Sequence, residues 1–400
     1  MPPYPPAVRP AEIRLAVLIS SLALLDLVLW LAFVPLIPRW ESEFGLSHTQ
    51  SGVVLGAYSG AILVLSIPAG RLADRIGARR VTIAATLFFA ATAPLYAFVD
   101  SFWQLLALRF LGGAFSAVSW TAALSWLVAS VPDQHRTRAM AAVNASASAA
   151  SLLGPLIGGP LVSGVGLEPA MLGLGLVILA VGVWALLEPS RGRRDAATDR
   201  SALAALRIGW SEPLLRYSFA GILFAAWAMG TVQLLAALRL ADLGLSSAGI
   251  GWIFALGAAL STVVALYVGR RITRLDKRRM ARAAIVAVSA LLAGLVVSLA
   301  ATPYAIGVIA ISTVGTAIWT TVYPMCSEAA DRAGIGQGVA LGALNTVWAF
   351  AAVIAPVLAG VFAEGGRPGF GYLIAAILGV CVATLMRRGT ARLASNTAGT

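Results

Sequence analysis

Lysine is almost absent: Lys277 is the only one in 400 residues, and Arg278 follows it. No GxxxxGK[ST] phosphate loop can exist, so the chain carries no ATPase motor of that kind. Cysteine is nearly as scarce. Cys326 and Cys381 lie far apart in apolar segments, which points to neither a disulfide framework nor a thiolate metal site. The two histidines, His48 and His135, fall in polar stretches between apolar runs, and no His/Cys/carboxylate cluster has zinc-like spacing. Neither a metal nor any other cofactor is expected. Charge is short as well, at 12% of residues against 59% hydrophobic, where a soluble domain carries about 25% charged residues. Such a deficit is not a soluble core. It is surface that faces lipid.

What is present is apolar length. About 20 apolar residues span a bilayer as a helix. Twelve runs of that kind can be read, at 14–38, 49–70, 81–99, 102–131, 139–163, 168–188, 214–239, 247–269, 280–300, 303–326, 338–363 and 370–387. The widest polar gap, 188–213, holds Arg191, Arg193, Arg194, Arg200 and Arg207. It divides the chain into an N-terminal bundle at 1–190, a cytoplasmic linker at 191–213 and a C-terminal bundle at 214–400. Within the linker, Ala202–Leu206 reads as a short surface helix. The first run is long enough to span, so no cleavable signal peptide is expected.

The two halves repeat each other. GRLADRIGARR at 70–80 and GRRITRLDKRR at 269–279 lie 199 positions apart. The same offset carries Gly45, Leu46, Ser47 and Gly52 onto Gly244, Leu245, Ser246 and Gly251. Repeats are the usual construction of transporters, with the solute site between the halves. The net charge of +12 fits the same picture. Of 29 lysines and arginines, Arg39, Arg239 and Arg367 fall in the loops of one side and Arg109 within a span. The other 25 lie in the tails and in the loops of the opposite side, which the positive-inside rule makes cytoplasmic. The charge is thus a topology signal and an attraction to anionic membrane lipid, not a nucleic-acid surface. Both termini are expected in the cytoplasm, in a bacterial inner membrane.

Only two ionisable side chains fall well inside spans: Asp26 in the first and Arg109 in the fourth. Each costs about 3 kcal/mol at a helix centre, and such residues face a bundle interior or a wet cavity. Counting 1.5 Å per residue places both at a similar depth. A facing pair is one arrangement; Asp26 as a proton site is the functional reading, and a fixed ion pair between two helices is the structural one. Gly154, Gly158 and Gly159 allow close helix approach, and Pro155 favours a kink; packing alone accounts for them, and gating is compatible.

These residues resemble the major facilitator superfamily, and within it the twelve-span drug/proton antiporter branch. GRLADRIGARR is similar to the signature GxLaDRxGrr, with Gly70, Asp74, Arg75 and Gly77 at its positions. LALRFLGGA at 106–114 resembles the fourth-helix motif around an arginine, with Gly112 where that motif often has glutamine. ASLLGPLIGG at 150–159 resembles the antiporter motif GxxxGPxxGG, with Ala150 for its first glycine. LLDLVLWLAFVPLIP at 24–38 resembles the first-helix pattern with an embedded aspartate. The resemblance implies an all-α membrane protein of two pseudo-symmetric six-helix bundles, a transporter and not an enzyme. It implies that Asp26 and Arg109 couple protons. It also implies that Asp74 clamps the cytoplasmic side by approaching the amino end of the eleventh helix, and that the Gly-Pro motif governs bending of the fifth. The partners it implies are a small-molecule substrate, protons and membrane lipid, with the chain acting as a monomer.

In such a fold the first, fourth, seventh and tenth helices line the cavity. Trp30, Ser116, Trp120, Trp227, Gln233, Trp319, Thr320 and Tyr323 are the pocket candidates there. Asn144 and Asn345 stand at related positions in the fifth and eleventh helices, 201 apart. Aromatic walls with one carboxylate suit amphipathic or cationic organic solutes; interfacial tryptophan is the plain alternative for each. The expected function is proton-coupled export of small amphipathic molecules by alternating access. Uptake of a specific metabolite, by symport or facilitated diffusion, is the alternative on the same fold. A non-transporting membrane sensor is the alternative from another class, and a membrane enzyme would need more converging acids and bases than one of each.

Overall fold

The computed structural model describes residues 9–189, 212–272 and 276–397. Nearly all of the expected linker, with its short helix at Ala202–Leu206, lies outside them.

Twelve helices are long and apolar enough to cross a membrane, and among the described residues there are no strands. In chain order they are α1 (Pro10–Ala32), α2 (His48–Ile76), α3 (Ala78–Leu95), α4 (Phe102–Ser130), α5 (Asp133–Leu156) and α6 (Leu167–Leu187). The second set is α7 (Pro213–Asp242), α8 (Ser247–Arg271), α9 (Lys277–Val297), α10 (Ala301–Arg332), α11 (Gln337–Glu364) and α12 (Pro368–Thr397).

Two boundaries differ from the reading of the sequence. The first span continues past α1 through a 3₁₀ turn at Val34–Leu36 and a helical segment at Ile37–Phe44. Pro35 and Pro38 do not end it, because each opens a new segment, where a missing N–H costs nothing. The signature around Asp74 was expected in a loop, yet it forms the last two turns of α2. The connection to α3 shrinks to Gly77, whose φ of 104° a residue with a Cβ would rarely adopt. Its N–H caps the Ala73 carbonyl.

The repeat is visible in three dimensions. Ser47 caps α2 by accepting from the Gln50 N–H, and Ser246 caps α8 by accepting from the Gly249 N–H. Gly45 and Gly244 precede them with φ of 61° and 88°. Gly52 of α2 packs on the backbone of Pro356 in α11, and its repeat Gly251 of α8 packs on the backbone of Pro155 in α5. A Cβ at either glycine would overlap a carbonyl oxygen. Small residues of this kind let membrane helices approach backbone to backbone.

These seams lie at the end of the bundle away from the termini. There Gly56 meets Val353, Gly360 meets His48, Gly158 meets Ala32, and Gly159 meets Ser247 and Gly251. The Thr49 hydroxyl donates to Glu364, placing a carboxylate beside the amino end of α2, where the helix dipole favours it. At the termini end the following charged contacts each join residues of one half. Glu12 bonds Arg9 and His135, and Arg79 donates to the Glu188 carbonyl. Lys277 pairs with Glu328. Val64 and Ile67, on the part of α2 nearer the termini, are 63% and 57% exposed. The two halves are therefore sealed at one end, and none of these contacts ties them together at the other.

Gly52→Val is expected to pry α2 from α11. In cysteine-labelling experiments, Thr49→Cys should react several-fold faster with an impermeant maleimide in the Gly52→Val background than without it. Equal rates would show that the seam does not depend on this glycine.

Candidate functional site

Near mid-membrane, α1, α2 and α4 converge on one carboxylate. The Tyr58 hydroxyl donates to Asp26 Oδ1 at 2.7 Å, and the Ser116 hydroxyl donates to Oδ2 at 3.0 Å. Arg109 lies on α4 about two turns before Ser116 and is fully buried. No ion pair joins it to Asp26 among the described residues. Its guanidinium carbon instead stands 4.1 Å from the centre of the Phe33 ring and 4.8 Å from that of Tyr58. Attraction of a cation to an aromatic face strengthens when both are removed from water. Its Nε donates a long bond to the Val54 carbonyl at 3.5 Å. Both Nη atoms lack a partner in hydrogen-bonding geometry, although Tyr96 faces the group.

Asp26 and Arg109 are thus brought together as expected from their depths, but with an aromatic ring between them and not as a pair. The reason is local packing. A Cβ on Gly113 would overlap the Tyr58 carbonyl, and one on Gly112 would lie 3.3 Å from its ring. The two glycines let α2 press against α4 and leave the space that Tyr58 fills. Gly112 is the position where the fourth-helix motif often has glutamine, so that departure and the presence of Tyr58 are one packing solution.

Trp30, one turn beyond Asp26, stacks on Tyr58 with ring centres 6.3 Å apart and planes at 21°. On its other side it meets Trp348 of α11 edge-on, at 5.9 Å and 78°. The aromatic chain therefore crosses from one half to the other. On the termini side of Asp26, a cavity of about 10 Å³ is lined by Ile19, Ala23, Ser119, Trp120 and Val143, among others; that is about the space one water needs.

The other pocket candidates form a separate group. Trp319 and Tyr323 stack at 6.5 Å, and the Tyr323 hydroxyl donates to Asn345 Oδ1 at 3.1 Å. Thr320 donates back to carbonyls of its own helix. Gln233 is buried in α7 and Trp227 packs against the core. Asn144 is exposed on α5 and makes no hydrogen bond in either group. Of the gating candidates, Gly154, Gly158 and Gly159 wedge α5 between α1 and α8. Past Pro155 that helix loosens to a π-helical stretch at Ile157–Leu161, consistent with the expected kink. Gly70 sits in the last turns of α2 and Gly77 caps it; Asp74 and Arg75 there are exposed and, among the described residues, make no ion pair. Among the described residues no hydrogen bond or ion pair joins Asp74 to the amino end of α11, which begins at Gln337.

Tyr58, Phe33 and Trp348 were not among the residues singled out from the sequence. A tyrosine ten residues into a span lies about 15 Å deep, and a buried phenol needs a hydrogen-bond partner; that signal was available for Tyr58. Nothing in the sequence distinguished Phe33 or Trp348 from ordinary core aromatics.

A family model described as Major Facilitator Superfamily matches residues 18–356. "Multidrug resistance protein 1" of Bacillus subtilis (strain 168) is 24% identical over 266 residues, 66% of this chain and 68% of that protein. The MFS-type transporter ppzB of Metarhizium rileyi (strain RCEF 4871) is 28% identical over 161 residues. That match covers 39% of this chain and about a third (33%) of the relative's length. Among solved structures, a bacterial homologue of the human lysosomal transporter Spinster, in an inward-facing and occupied conformation, superposes with a TM-score of 0.75. It covers 96% of this chain and 98% of that one at 13% identity, a likeness of fold.

Since no direct ion pair exists, neutralising Asp26 does not leave Arg109 without a counter-ion it previously touched. Asp26→Asn is expected to unfold within a few degrees of the unaltered protein in detergent. Adding Arg109→Gln is expected to lower the midpoint further and not to restore it. A rescue by the second substitution in thermal unfolding would reveal a hidden pair.

Proposed function

The chain belongs to the Major Facilitator Superfamily, a membrane transporter and not an enzyme, and on that premise we propose that it exports small amphipathic organic molecules in exchange for protons. The observation that carries this reading is the setting of Asp26: a carboxylate near mid-membrane, held by two hydroxyl donors beside a buried arginine that it does not touch. A permanently paired carboxylate would have little reason to exchange its proton. One held by neutral hydroxyls can be met as an anion or as an acid, and the small cavity on its termini side is a place where water can reach it.

In this proposal residues 1–190 and 214–400 move as two bodies joined by the linker at 191–213. Both termini are cytoplasmic in a bacterial inner membrane, as the placement of arginine supports. The state described is then open to the cytoplasm. Asp74 and Arg75 are free in it, and they engage the amino end of α11 when the outside opens. The solute enters between Trp30, Ser116 and Trp120 on one side and Trp227, Gln233, Trp319, Thr320, Tyr323, Asn144 and Asn345 on the other. Aromatic and neutral polar walls favour apolar burial and cation–π contact. The likeness to a protein named for multidrug resistance supports export. The chain works as a monomer in contact with lipid.

Purified protein in liposomes with an imposed pH gradient tests the proposal, using a panel of fluorescent cationic and neutral amphiphiles. Gradient-driven movement is expected, lost in Asp26→Asn with binding retained. No movement of any panel member would reject multidrug export. In the same assay Asp74→Asn should lower turnover at saturating substrate several-fold with little change in apparent affinity, because Asp74 acts on the cycle and not on the pocket.

A further inference from the structure

Tyr58 presents three contacts from one side chain. Its hydroxyl donates to Asp26. Its ring carries the Arg109 guanidinium and stacks on Trp30, which meets Trp348 across the interface between the halves. Its backbone is clamped by Gly113. The helix that bears it also makes the seam: Gly56 and Gly52, two and six residues earlier, pack on Val353 and Pro356 of α11. Trp348 lies on that same helix, five residues before Val353. The acid and the seam thus share two helices and one aromatic bridge.

We propose that Tyr58 is the positioning residue that carries the protonation state of Asp26 to the seam between the halves, through Trp30 and Trp348. The inference rests on the proton-coupling reading above. A hydrogen bond to a carboxylate is roughly twice as strong as one between neutral partners. The anion therefore holds the Tyr58 ring against Trp30; the neutral acid releases it, and the support for Trp348 on the α11 side goes with it. The charged and titratable groups around the cluster are Asp26 from α1, Tyr58 from α2, Tyr96 from the turn after α3, and Arg109 from α4. The other groups that meet it are neutral, among them Phe33 of the first span, Ser116 of α4, Val143 of α5 and Trp348 of α11. If Tyr58 only filled space, phenylalanine would serve equally well, because the ring contacts would persist.

The test reads conformation and needs no substrate. Spin labels at Ser42→Cys and Arg367→Cys, both exposed beyond the sealed end, are placed in a chain carrying Cys326→Ala and Cys381→Ser. Distance distributions are recorded in nanodiscs between about pH 5 and pH 8. The labelled background is expected to shift its distribution with pH, and Asp26→Asn to abolish the shift. Tyr58→Phe should abolish it too, with Asp26 in place. Trp30→Leu, which leaves both hydrogen bonds to Asp26 intact, should do the same and keeps the test alive if Tyr58→Phe folds poorly. A Tyr58→Phe or Trp30→Leu protein that follows pH as the background does would overturn the role of the bridge while leaving proton coupling standing. A background that does not respond to pH at all would remove the coupling reading, and this inference with it.

Discussion

An ionised side chain in the hydrocarbon layer has to be met by protein, and this fold is arranged around two of them. Each costs about 3 kcal/mol at a helix centre on insertion scales. Here the cost is offset by different means on the two groups. The Asp26 carboxylate receives two hydroxyl donors, one from α2 and one from α4. The Arg109 guanidinium receives two aromatic faces and one long backbone bond, and its Nη atoms are left without partners in good geometry. The acid is held by hydroxyl donors, and the base mainly by ring faces with Tyr96 beside it. A carboxylate without a fixed cationic partner suits the proposed exchange of a proton more than a permanent ion pair would.

The second constraint is the backbone approach at the sealed end. Glycine at 52 and at 251 brings α2 onto α11 and α8 onto α5, and the two contacts are the same contact in the two halves of the duplicated chain. The chemistry was not duplicated with the shape. The counterpart of Asp26 is Ala225, and that of Asp74 is Thr273. The C-terminal half instead offers Trp319, Tyr323 and Asn345 as a neutral polar-aromatic surface. One half carries the charge and the other is free to vary in what it touches.

The fold was almost fully legible in the sequence because membrane spans are a matter of apolar length, and because no residue between them interrupts the count. The boundaries that moved did so where proline and glycine act locally: Pro35 and Pro38 continue a span in a fresh segment, and Gly77 lets α2 run to its very end. In the site, Asp26 and Arg109 announce themselves by cost alone. Their relation does not, since depth along two helices gives height and not azimuth. Whether a ring stands between them depends on how closely α2 and α4 approach, which Gly112 and Gly113 decide. Those glycines could be read as a loss of the family's glutamine, but not as the space for Tyr58.

The two ends of the interface between halves use the same pair of helices with the roles exchanged. At the sealed end Glu364, the last residue of α11, lies at the amino end of α2 and takes the Thr49 hydroxyl. At the open end Asp74 sits near the carboxyl end of α2 and is exposed; the amino end of α11 begins at Gln337. Each helix thus carries a carboxylate near its carboxyl end; Glu364 lies at the Ser47-capped amino end of α2, while the amino end of α11 has no side-chain cap, and a carboxylate is favoured on the helix dipole at either. Such contacts contribute about 0.3–1 kcal/mol each, far too little to lock a transporter shut. What they can do is set a small bias between two states that close packing makes alternatives. At the sealed end that contact is present; in the proposed cycle Asp74 would supply its counterpart when the other end closes.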